Sequence, residues 1–213
     1  MTTLLMIRHG QSVANLEGRF AGSSDFPLTE LGRRQAACTA EFVAENYRVD
    51  AVYSSDLQRA YETGLATAEK FGLPVATDPA LREIFAGAWE RQRFDDLYRA
   101  HFEDFTLWRQ NIGLSRCTDG ESVAELAVRI REVVDRISRA HDGKTVVIAT
   151  HATPIRTLRW LATGTPPENM QNIPWPSNAS VSEFSWNNGV LTAVHMSMDE
   201  HLADLQSALP PNT

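Results

Sequence analysis

The side chains best suited to chemistry stand near the amino terminus, where Arg8, His9, Gly10 and Gln11 follow one another. A guanidinium can donate two parallel hydrogen bonds to the oxygens of an oxyanion. An imidazole can act as a nucleophile near neutral pH. Glycine has no Cβ, so its backbone can approach a ligand closely. The tetrad therefore predicts a site that binds an anion and can attack it.

The elements that position this tetrad are predicted from apolar runs. One run, residues 3–7, ends just before Arg8, and another, residues 145–150, ends just before His151. Such short runs predict buried strands, and open α/β sheets bind ligands at the carboxyl ends of their strands. Arg59 follows a third predicted strand, 49–53. We therefore expect two histidines and two arginines to converge in one pocket, which is typical of a site for a dianion.

The remaining segments alternate between strand and helix patterns. This alternation predicts a three-layer α/β/α sandwich with a mostly parallel central sheet, and we treat residues 1–213 as one domain. Residues 11–29 read as a long loop, with Thr29 capping the next helix. The tail 209–213 is expected to fray. Predicted helices run from Glu30 to about Glu45, from Ser55 or Asp56 to near Gly72, from Ser122 to His141 and from Pro154 to Thr163, with a strand over 74–77 and a hairpin of strands 180–186 and 190–196.

Residues 84–121 form a segment rich in aromatic side chains and arginines. Phe94, Tyr98, Phe102 and Phe105 recur at spacings of four, four and three, which places them on one face of a helix. We expect an inserted helical pair that packs on the sheet edge and caps the site. Its arginines either lie on a solvated helical face or meet a second anionic group of the substrate. These arginines are Arg91, Arg93, Arg99, Arg109 and Arg116.

Composition narrows the classes of partner. The net charge of −7 argues against nucleic acid or an anionic membrane surface as the main partner. Cys38 and Cys117, without a CxxC spacing, fit a reduced compartment. The first residues lack the apolar core and cleavage site of a signal peptide, so we expect a cytoplasmic protein without a membrane partner. The edge of the hairpin at 190–196 could pair with a second copy, which leaves a homodimer open.

Four separated segments resemble the histidine phosphatase superfamily. They are Arg8-His9-Gly10, the stretch 54–60 (Ser-Ser-Asp-Leu-Gln-Arg-Ala), Glu83 and Thr150-His151, in that order. More narrowly, the chain is similar to the branch of cofactor-dependent phosphoglycerate mutases and related small, broad-specificity phosphatases, over roughly residues 3–195. The resemblance implies the phosphoglycerate mutase-like fold and a catalytic cycle through a phosphohistidine.

The resemblance also implies a role for each matching residue. His9 resembles the nucleophile that takes the phosphoryl group, and Glu83 resembles the general acid that protonates the leaving oxygen. Chemistry requires His9 to be neutral at the attacking nitrogen, which two neighbouring guanidiniums favour, while we expect His151 to work protonated. No metal or organic cofactor is expected, because arginines neutralise the phosphate. The residues expected to bind it are Arg8, Asn15, Arg59, His151 and Ala152.

Departures from the mutase pattern favour hydrolysis. Mutases of this branch follow the acid with an Arg-His-Tyr-Gly type segment that grips the substrate carboxylate, whereas this chain has Ile-Phe-Ala-Gly-Ala-Trp-Glu over 84–90. Arg91 and Ala152 stand where glycine is usual, and Thr118-Asp119 replaces a common Pro-Gly. The changes at Arg91 and Thr118-Asp119 affect the cap or its edge, whereas Ala152 narrows the backbone freedom beside His151. None of them removes a catalytic group. We therefore expect water to be the final acceptor.

Several functions remain open at this point. The leading prediction is a phosphomonoesterase that acts on a small phosphorylated metabolite. A cofactor-dependent phosphoglycerate mutase or a sugar bisphosphatase is the alternative. A regulator that binds a phosphorylated ligand without turnover would be expected to lack His9 or Glu83, and both are present. A zinc hydrolase using His9 and His151 is disfavoured, because no ligands stand at metal-binding spacing.

Overall fold

A mixed β-sheet forms the centre of the computed structural model, which describes residues 1–207. The tail 209–213, predicted to fray, lies outside the described residues. Within them the sheet has six strands in the order β3-β2-β4-β1-β5-β6. The strands are β1 (Thr2–Arg8), β2 (Ala51–Ser54), β3 (Val75–Thr77), β4 (Thr145–Thr150), β5 (Val181–Asn187) and β6 (Val190–Met198).

Parallel pairing brings the ends of three strands together. β4 lies between β1 and β2 and runs parallel to both, and β3 runs parallel to β2. The register pairs Arg8 with Thr150 and Ser54 with Ala149, so β1, β2 and β4 end at one edge of the sheet. β5 is antiparallel to β1, and β6 is antiparallel to β5. The prediction of a mostly parallel sheet with a terminal hairpin is confirmed.

Helices cover both faces of this sheet. Alternation in β1 directs Leu4 and Met6 to one apolar cluster and Leu5 and Ile7 to the other, as expected for a strand buried on both faces. The predicted three-layer sandwich is confirmed. The helices are α1 (Val13–Glu17), α2 (Glu30–Asn46), α3 (Gln58–Phe71), α4 (Phe94–Ala100), α5 (Phe102–Gln110), α6 (Val123–Ala140) and α7 (Ala152–Thr163).

Three helix starts differ from the predictions. α7 begins at Ala152, two residues before the predicted start at Pro154. The loop predicted over 11–29 contains α1, because the side chains of Ser12 and Asn15 each accept a hydrogen bond from the other's backbone N–H in a capping box. α3 begins at Gln58, later than the predicted start at Ser55 or Asp56. The reason is that the Asp56 carboxylate pairs with Arg82 and leaves the helix end. α2 begins after Thr29, as predicted.

The inserted segment contains the predicted helical pair, but its aromatic residues do not share one face. The chain breaks at His101, between α4 and α5, where φ is −130° and ψ is 48°. The half-buried Phe94 therefore stacks on the buried Phe105, whereas Tyr98 and Phe102 are exposed and contact each other with ring centroids 5.1 Å apart. Among the described residues, no helix has the length and apolar character needed to cross a membrane.

Candidate active site

The carboxyl end of β1 and the starts of α3 and α7 border one cleft at the sheet edge. Five predicted site residues lie on its wall together with Ala152, and His151 lies behind them in the interior, its ring centroid 5.2 Å from that of His9. The sequence predicts this convergence. The lining residues are Arg8, His9, Asn15, Arg19, Phe20, Ala21, Gly22, Arg59, Glu83, Phe94, Trp108, Ala152, Thr153 and Trp175.

The His9 ring is held with one nitrogen available to the cleft. Nδ1 lies 2.7 Å from the carbonyl oxygen of Gly10. A carbonyl only accepts hydrogen bonds, so we assign the proton to Nδ1, which leaves a lone pair on Nε2 in the neutral ring. Burial lowers the pKa of His9 well below its ordinary value of 6.5, and the charges of Arg59 and Arg8 lower it further. The surroundings therefore favour the neutral His9 ring, with an unprotonated Nε2.

The glycine of the tetrad serves a different contact from the one expected. The tetrad predicts that the backbone at Gly10 approaches a ligand. In the structure, a Cβ on Gly10 would lie 2.3 Å from the carbonyl oxygen of Gly32, and a Cβ on Gly32 would lie 2.1 Å from that of Gln11. The two glycines thus let the start of α2 pack directly against the loop that follows β1. This contact fixes the loop that carries His9.

Two buried guanidiniums flank His9 and are held by backbone carbonyls. Arg8 donates from Nη1 to Pro176 O at 2.6 Å. Arg59 donates from Nη1 to Ser24 O and from Nη2 to Gly22 O, both at 2.8 Å. Neither arginine forms an ion pair within residues 1–207, and the Nε of each has no partner there. Burial lowers the pKa of each to about 10, so both carry a charge that an anion can neutralise.

Asn15 and Asn178 form a polar link at the end of β1. Asn15 Oδ1 accepts from the Ser12 backbone N–H at 3.0 Å and from Asn178 Nδ2 at 3.2 Å. Asn178 Nδ2 also donates to the carbonyl oxygen of His9 at 3.1 Å. Sequence reasoning missed Asn178. Asn178 could have been found from its position just before β5, because a strand antiparallel to β1 begins beside the carboxyl end of β1.

Glu83 faces the same cleft from the segment that follows β3. Its Oε1 accepts from the Ile84 N–H at 2.9 Å, and its Oε2 accepts from the Thr153 N–H at 3.3 Å. Burial raises the pKa of Glu83 above its ordinary value of 4.5, against the opposing effect of these hydrogen bonds and of Arg59. A carboxyl group with a raised pKa can hold a proton at a pH where a free glutamate would be ionised.

His151 is buried completely at the start of α7. Its Nε2 lies 2.9 Å from Ser55 Oγ, and its Nδ1 has no partner among residues 1–207. Burial lowers the pKa of His151 well below 6.5, and Arg59 lowers it further. The sequence predicts a protonated His151, but burial and the neighbouring charges favour the neutral ring. A bound dianion would supply the opposite charge that raises this pKa.

The outer wall of the cleft is apolar. Phe20, Trp108 and Trp175 line it, and Trp175 stacks under the Arg156 guanidinium at 4.2 Å. Within the described residues, none of the five arginines of the inserted segment lies on this wall, and Arg19 is the additional cation there. Arg116, for example, pairs with Glu125 on the surface. The sequence did not predict Trp175, which comes from the long segment before β5.

Among residues 1–207, no group of three or more His, Cys, Asp or Glu side chains is placed to hold a metal ion.

With this geometry established, comparison with known proteins defines the class. The family model of the histidine phosphatase superfamily (branch 1) matches residues 4–199. The chain belongs to this superfamily. It is 32% identical over 206 residues to a putative phosphoserine phosphatase 2 of Hydrogenobacter thermophilus, covering 96% of this chain and 100% of that protein. It is 36% identical over 161 residues to a bifunctional protein of Mycobacterium tuberculosis, covering 76% of this chain. The chain spans only 44% of the length of that mycobacterial relative.

Solved structures give the same class of fold. The YhfR protein of Bacillus stearothermophilus superposes with a TM-score of 0.90 at 30% identity, covering 95% of this chain and 100% of that one. A mycobacterial glucosyl-3-phosphoglycerate phosphatase, solved with VO3, gives a TM-score of 0.82 at 28% identity and covers 91% of this chain and 96% of that one. The predicted fold class and family are confirmed.

Proposed function

We propose that this protein is a phosphomonoesterase that hydrolyses a small phosphorylated metabolite through a phosphohistidine on His9. The observation that carries the proposal is the arrangement around His9. A neutral imidazole presents Nε2 to a cleft that also contains two charged guanidiniums without carboxylate partners in the described residues and a carboxyl group with a raised pKa. These are a nucleophile, an anion-binding pair and a proton donor. The relatives named phosphoserine phosphatase support the proposal.

The first half-reaction transfers the phosphoryl group to the enzyme. His9 Nε2 attacks phosphorus, the Nε2–P bond forms and the bond from phosphorus to the leaving oxygen breaks. Glu83 gives its proton to that oxygen, so the product leaves as a neutral alcohol and Glu83 becomes a carboxylate. Arg8 and Arg59 stabilise the charge that spreads over the three equatorial oxygens, and removing one such donor costs on the order of 10²–10³ in rate.

The second half-reaction restores the enzyme. A water molecule attacks phosphorus on the opposite side from Nε2, and the Glu83 carboxylate accepts its proton. The Nε2–P bond breaks, inorganic phosphate leaves, and Glu83 is again protonated. Asn15, the amides at the start of α7 and His151 complete the proposed phosphate pocket, with His151 gaining a proton when the dianion is bound. No step requires a metal ion, because the two arginines neutralise the phosphate.

A mutase remains the second candidate, because relatives named probable phosphoglycerate mutase match at 32% identity. A mutase must also bind the carboxylate of its substrate. On the described cleft wall the cation beyond the phosphate pocket is Arg19, which already donates to Glu17 and to the Arg91 carbonyl. The rest of that wall is largely aromatic, which favours phosphate release to water. Incubation with 3-phosphoglycerate and 2,3-bisphosphoglycerate distinguishes the two: a mutase forms the other isomer, and a phosphatase releases phosphate.

The experiment that tests the proposal replaces the nucleophile. His9→Ala should abolish phosphate release from p-nitrophenyl phosphate, with circular dichroism unchanged. His195→Gln is the control, because His195 is exposed on β6 and far from the cleft in the sheet order. Full activity in His9→Ala would overturn the proposal.

A further inference from the structure

Arg129 on α6 holds the segment that carries Glu83. Its Nη1 donates to Ala80 O at 2.8 Å and to Arg82 O at 3.0 Å, and its Nη2 lies 3.4 Å from Glu83 O. One guanidinium therefore contacts three carbonyls within four consecutive residues. Those carbonyls belong to the segment that carries the Glu83 side chain into the cleft.

Glu121 fixes this guanidinium and also holds the other end of the segment. Its Oε1 accepts from Arg129 Nε at 2.9 Å and its Oε2 from Arg129 Nη2 at 2.7 Å, a bidentate pair. Its Oε2 accepts from the Phe85 N–H at 3.1 Å, and its backbone N–H donates to Phe85 O at 2.8 Å. Backbone groups on both sides of Glu83 thus depend on one Arg129–Glu121 pair.

The pair is unlike an ordinary surface ion pair. The side chains are only 25% and 12% exposed, and both take further hydrogen bonds from or to the backbone. Exposed pairs contribute little, because solvent screens them and their side chains lose entropy. Here the planar guanidinium acts as a rigid spacer between α6 and the 80–85 segment.

The orientation of the Glu83 carboxyl group depends on the backbone that Arg129 and Glu121 hold. Glu83 borders two cavities: the cleft that contains His9, and a second cavity of about 380 Å³ on whose wall Arg129 and Glu121 lie. Its own carboxyl group has one short backbone bond, to its neighbour Ile84, and one longer bond, to Thr153. The direction of the carboxyl group is therefore set by the backbone around it.

We propose that Arg129, locked by Glu121, is the positioning residue of the general acid. It keeps the Glu83 carboxyl turned to the leaving oxygen in the His9 cleft, away from the second cavity. The inference rests on the proposed function, in which Glu83 donates the proton. Arg129 itself touches neither Nε2 of His9 nor the phosphate pocket.

The consequence is a dependence on the leaving group. An alkoxide leaves poorly without a proton, whereas p-nitrophenolate leaves readily without one. Misplacing the acid by about 1 Å can cost on the order of 10²-fold in rate. Arg129→Met should therefore lower kcat/KM for an alkyl phosphate such as glycerol 2-phosphate on the order of 10²-fold, while p-nitrophenyl phosphate loses less than about tenfold.

The experiment compares both substrates in wild type, Arg129→Met and a matched control. Arg139→Met is the control, because Arg139 lies on the same helix but is 66% exposed and packs over Trp186. The control should match wild type on both substrates. Glu121→Gln is the second variant. It retains the Arg129 guanidinium but replaces one of the two carboxylate oxygens that accept from it with an amide nitrogen. It should lower kcat/KM selectively for the alkyl ester, as Arg129→Met does, but by a smaller factor.

A double variant separates positioning from general damage. On a Glu83→Gln background the acid is already lost, so adding Arg129→Met should cause no further selective loss on the alkyl ester. Equal losses on both substrates in Arg129→Met and in Glu121→Gln, or a further selective loss in the double variant, would overturn the inference. If Glu83→Gln itself shows no selectivity for the leaving group, it is the proposed role of Glu83 that fails.

Discussion

At the scale of single residues, burial shifts the pKa values of two proposed catalytic groups in opposite directions. His9 and Glu83 are both removed from water, and desolvation disfavours the charged form of each. The pKa of His9 therefore falls and that of Glu83 rises. These directions favour the neutral His9 ring and the protonated Glu83 carboxyl group, which are the forms that the proposed first half-reaction needs.

This pairing predicts the pH dependence of turnover. With an alkyl phosphate, kcat/KM should fall on the alkaline side as Glu83 loses its proton, at a pKa above 4.5, and on the acid side as His9 gains one, below 6.5. In Glu83→Gln, the residual kcat/KM should no longer fall on the alkaline side. The measurement is a pH–rate profile of both proteins. An alkaline limb that persists unchanged in Glu83→Gln would show that another group titrates there.

The sequence was informative about which residues enter the site but not about what holds them. Arg8, His9, Arg59 and His151 could be placed because each follows an apolar strand or its turn, and Glu83 followed from the family resemblance. Their partners could not be predicted. Pro176 O, which accepts from Arg8, lies 168 positions along the chain, and the two carbonyls that hold Arg59 lie in a loop without a distinctive pattern.

At the scale of elements, α6 packs on the apolar core and also contacts the segment that carries Glu83. Apolar side chains on one face, including Ile130 and Val133, pack against the sheet, while Arg129 reaches the segment that carries Glu83. Ser122 fixes the start of this helix. Its Oγ accepts from the Glu125 N–H at 3.2 Å, and the Glu125 carboxylate accepts from the Ser122 N–H at 2.9 Å. The amphipathic period predicted this helix with its boundaries nearly correct.

Removing this cap should weaken the fold measurably. Ser122→Ala leaves a helix N–H without its acceptor, which typically lowers the free energy of unfolding by about 1 kcal/mol. Urea denaturation followed by circular dichroism measures the change. Glu132→Ala, at an exposed position of the same helix, is the control and should stay within about 0.5 kcal/mol of wild type. A Ser122→Ala protein as stable as the control would show that the capping box contributes nothing.

The break between α4 and α5 could not be predicted from the spacing of the aromatic residues. The spacing of Phe94, Tyr98, Phe102 and Phe105 fits one continuous helix, but the chain turns at His101. Phe105 packs against the buried Trp89 and also stacks on Phe94. A straight helix would not place Phe105 against both of these rings. Tertiary packing, which periodicity does not contain, decided the geometry.

At the scale of the whole molecule, the site affects stability as well as function. Two neutral histidines are buried side by side next to two arginines. In the unfolded chain each histidine has its ordinary pKa of 6.5, and in the folded protein each pKa lies well below that value. As pH falls below 6.5, the unfolded chain takes up protons that the folded protein does not, so stability falls with pH.

Replacing one of these histidines should flatten that dependence. His151→Gln cannot gain a proton, so its unfolding free energy should change less between about pH 8 and about pH 5 than that of wild type. Urea unfolding at the two pH values measures this, with His195→Gln as the control that should follow wild type. An equally steep loss in His151→Gln would mean that other groups cause the acid instability.

At this scale, one exposed edge of the sheet belongs to the terminal hairpin. β6 forms one edge of the sheet, with Val190 65% exposed and Val194 44% exposed. Pairing of this edge with a second copy stays a prediction, as does the division of the chain into one domain with a cap over about 84–121. The apolar cleft wall, built from residues far apart in sequence, could be seen only after folding.

The most direct test of the central claim is to trap the phosphoryl group on His9. Glu83→Gln should still react with p-nitrophenyl phosphate, because its leaving group needs no proton, but it lacks the base that activates water. The covalent intermediate should therefore accumulate and survive an alkaline quench. Mass spectrometry of the digested protein should find one phosphoryl group on the peptide that contains His9, and none in His9→Ala/Glu83→Gln. Release of p-nitrophenol without any phosphoryl group on His9 would contradict the account.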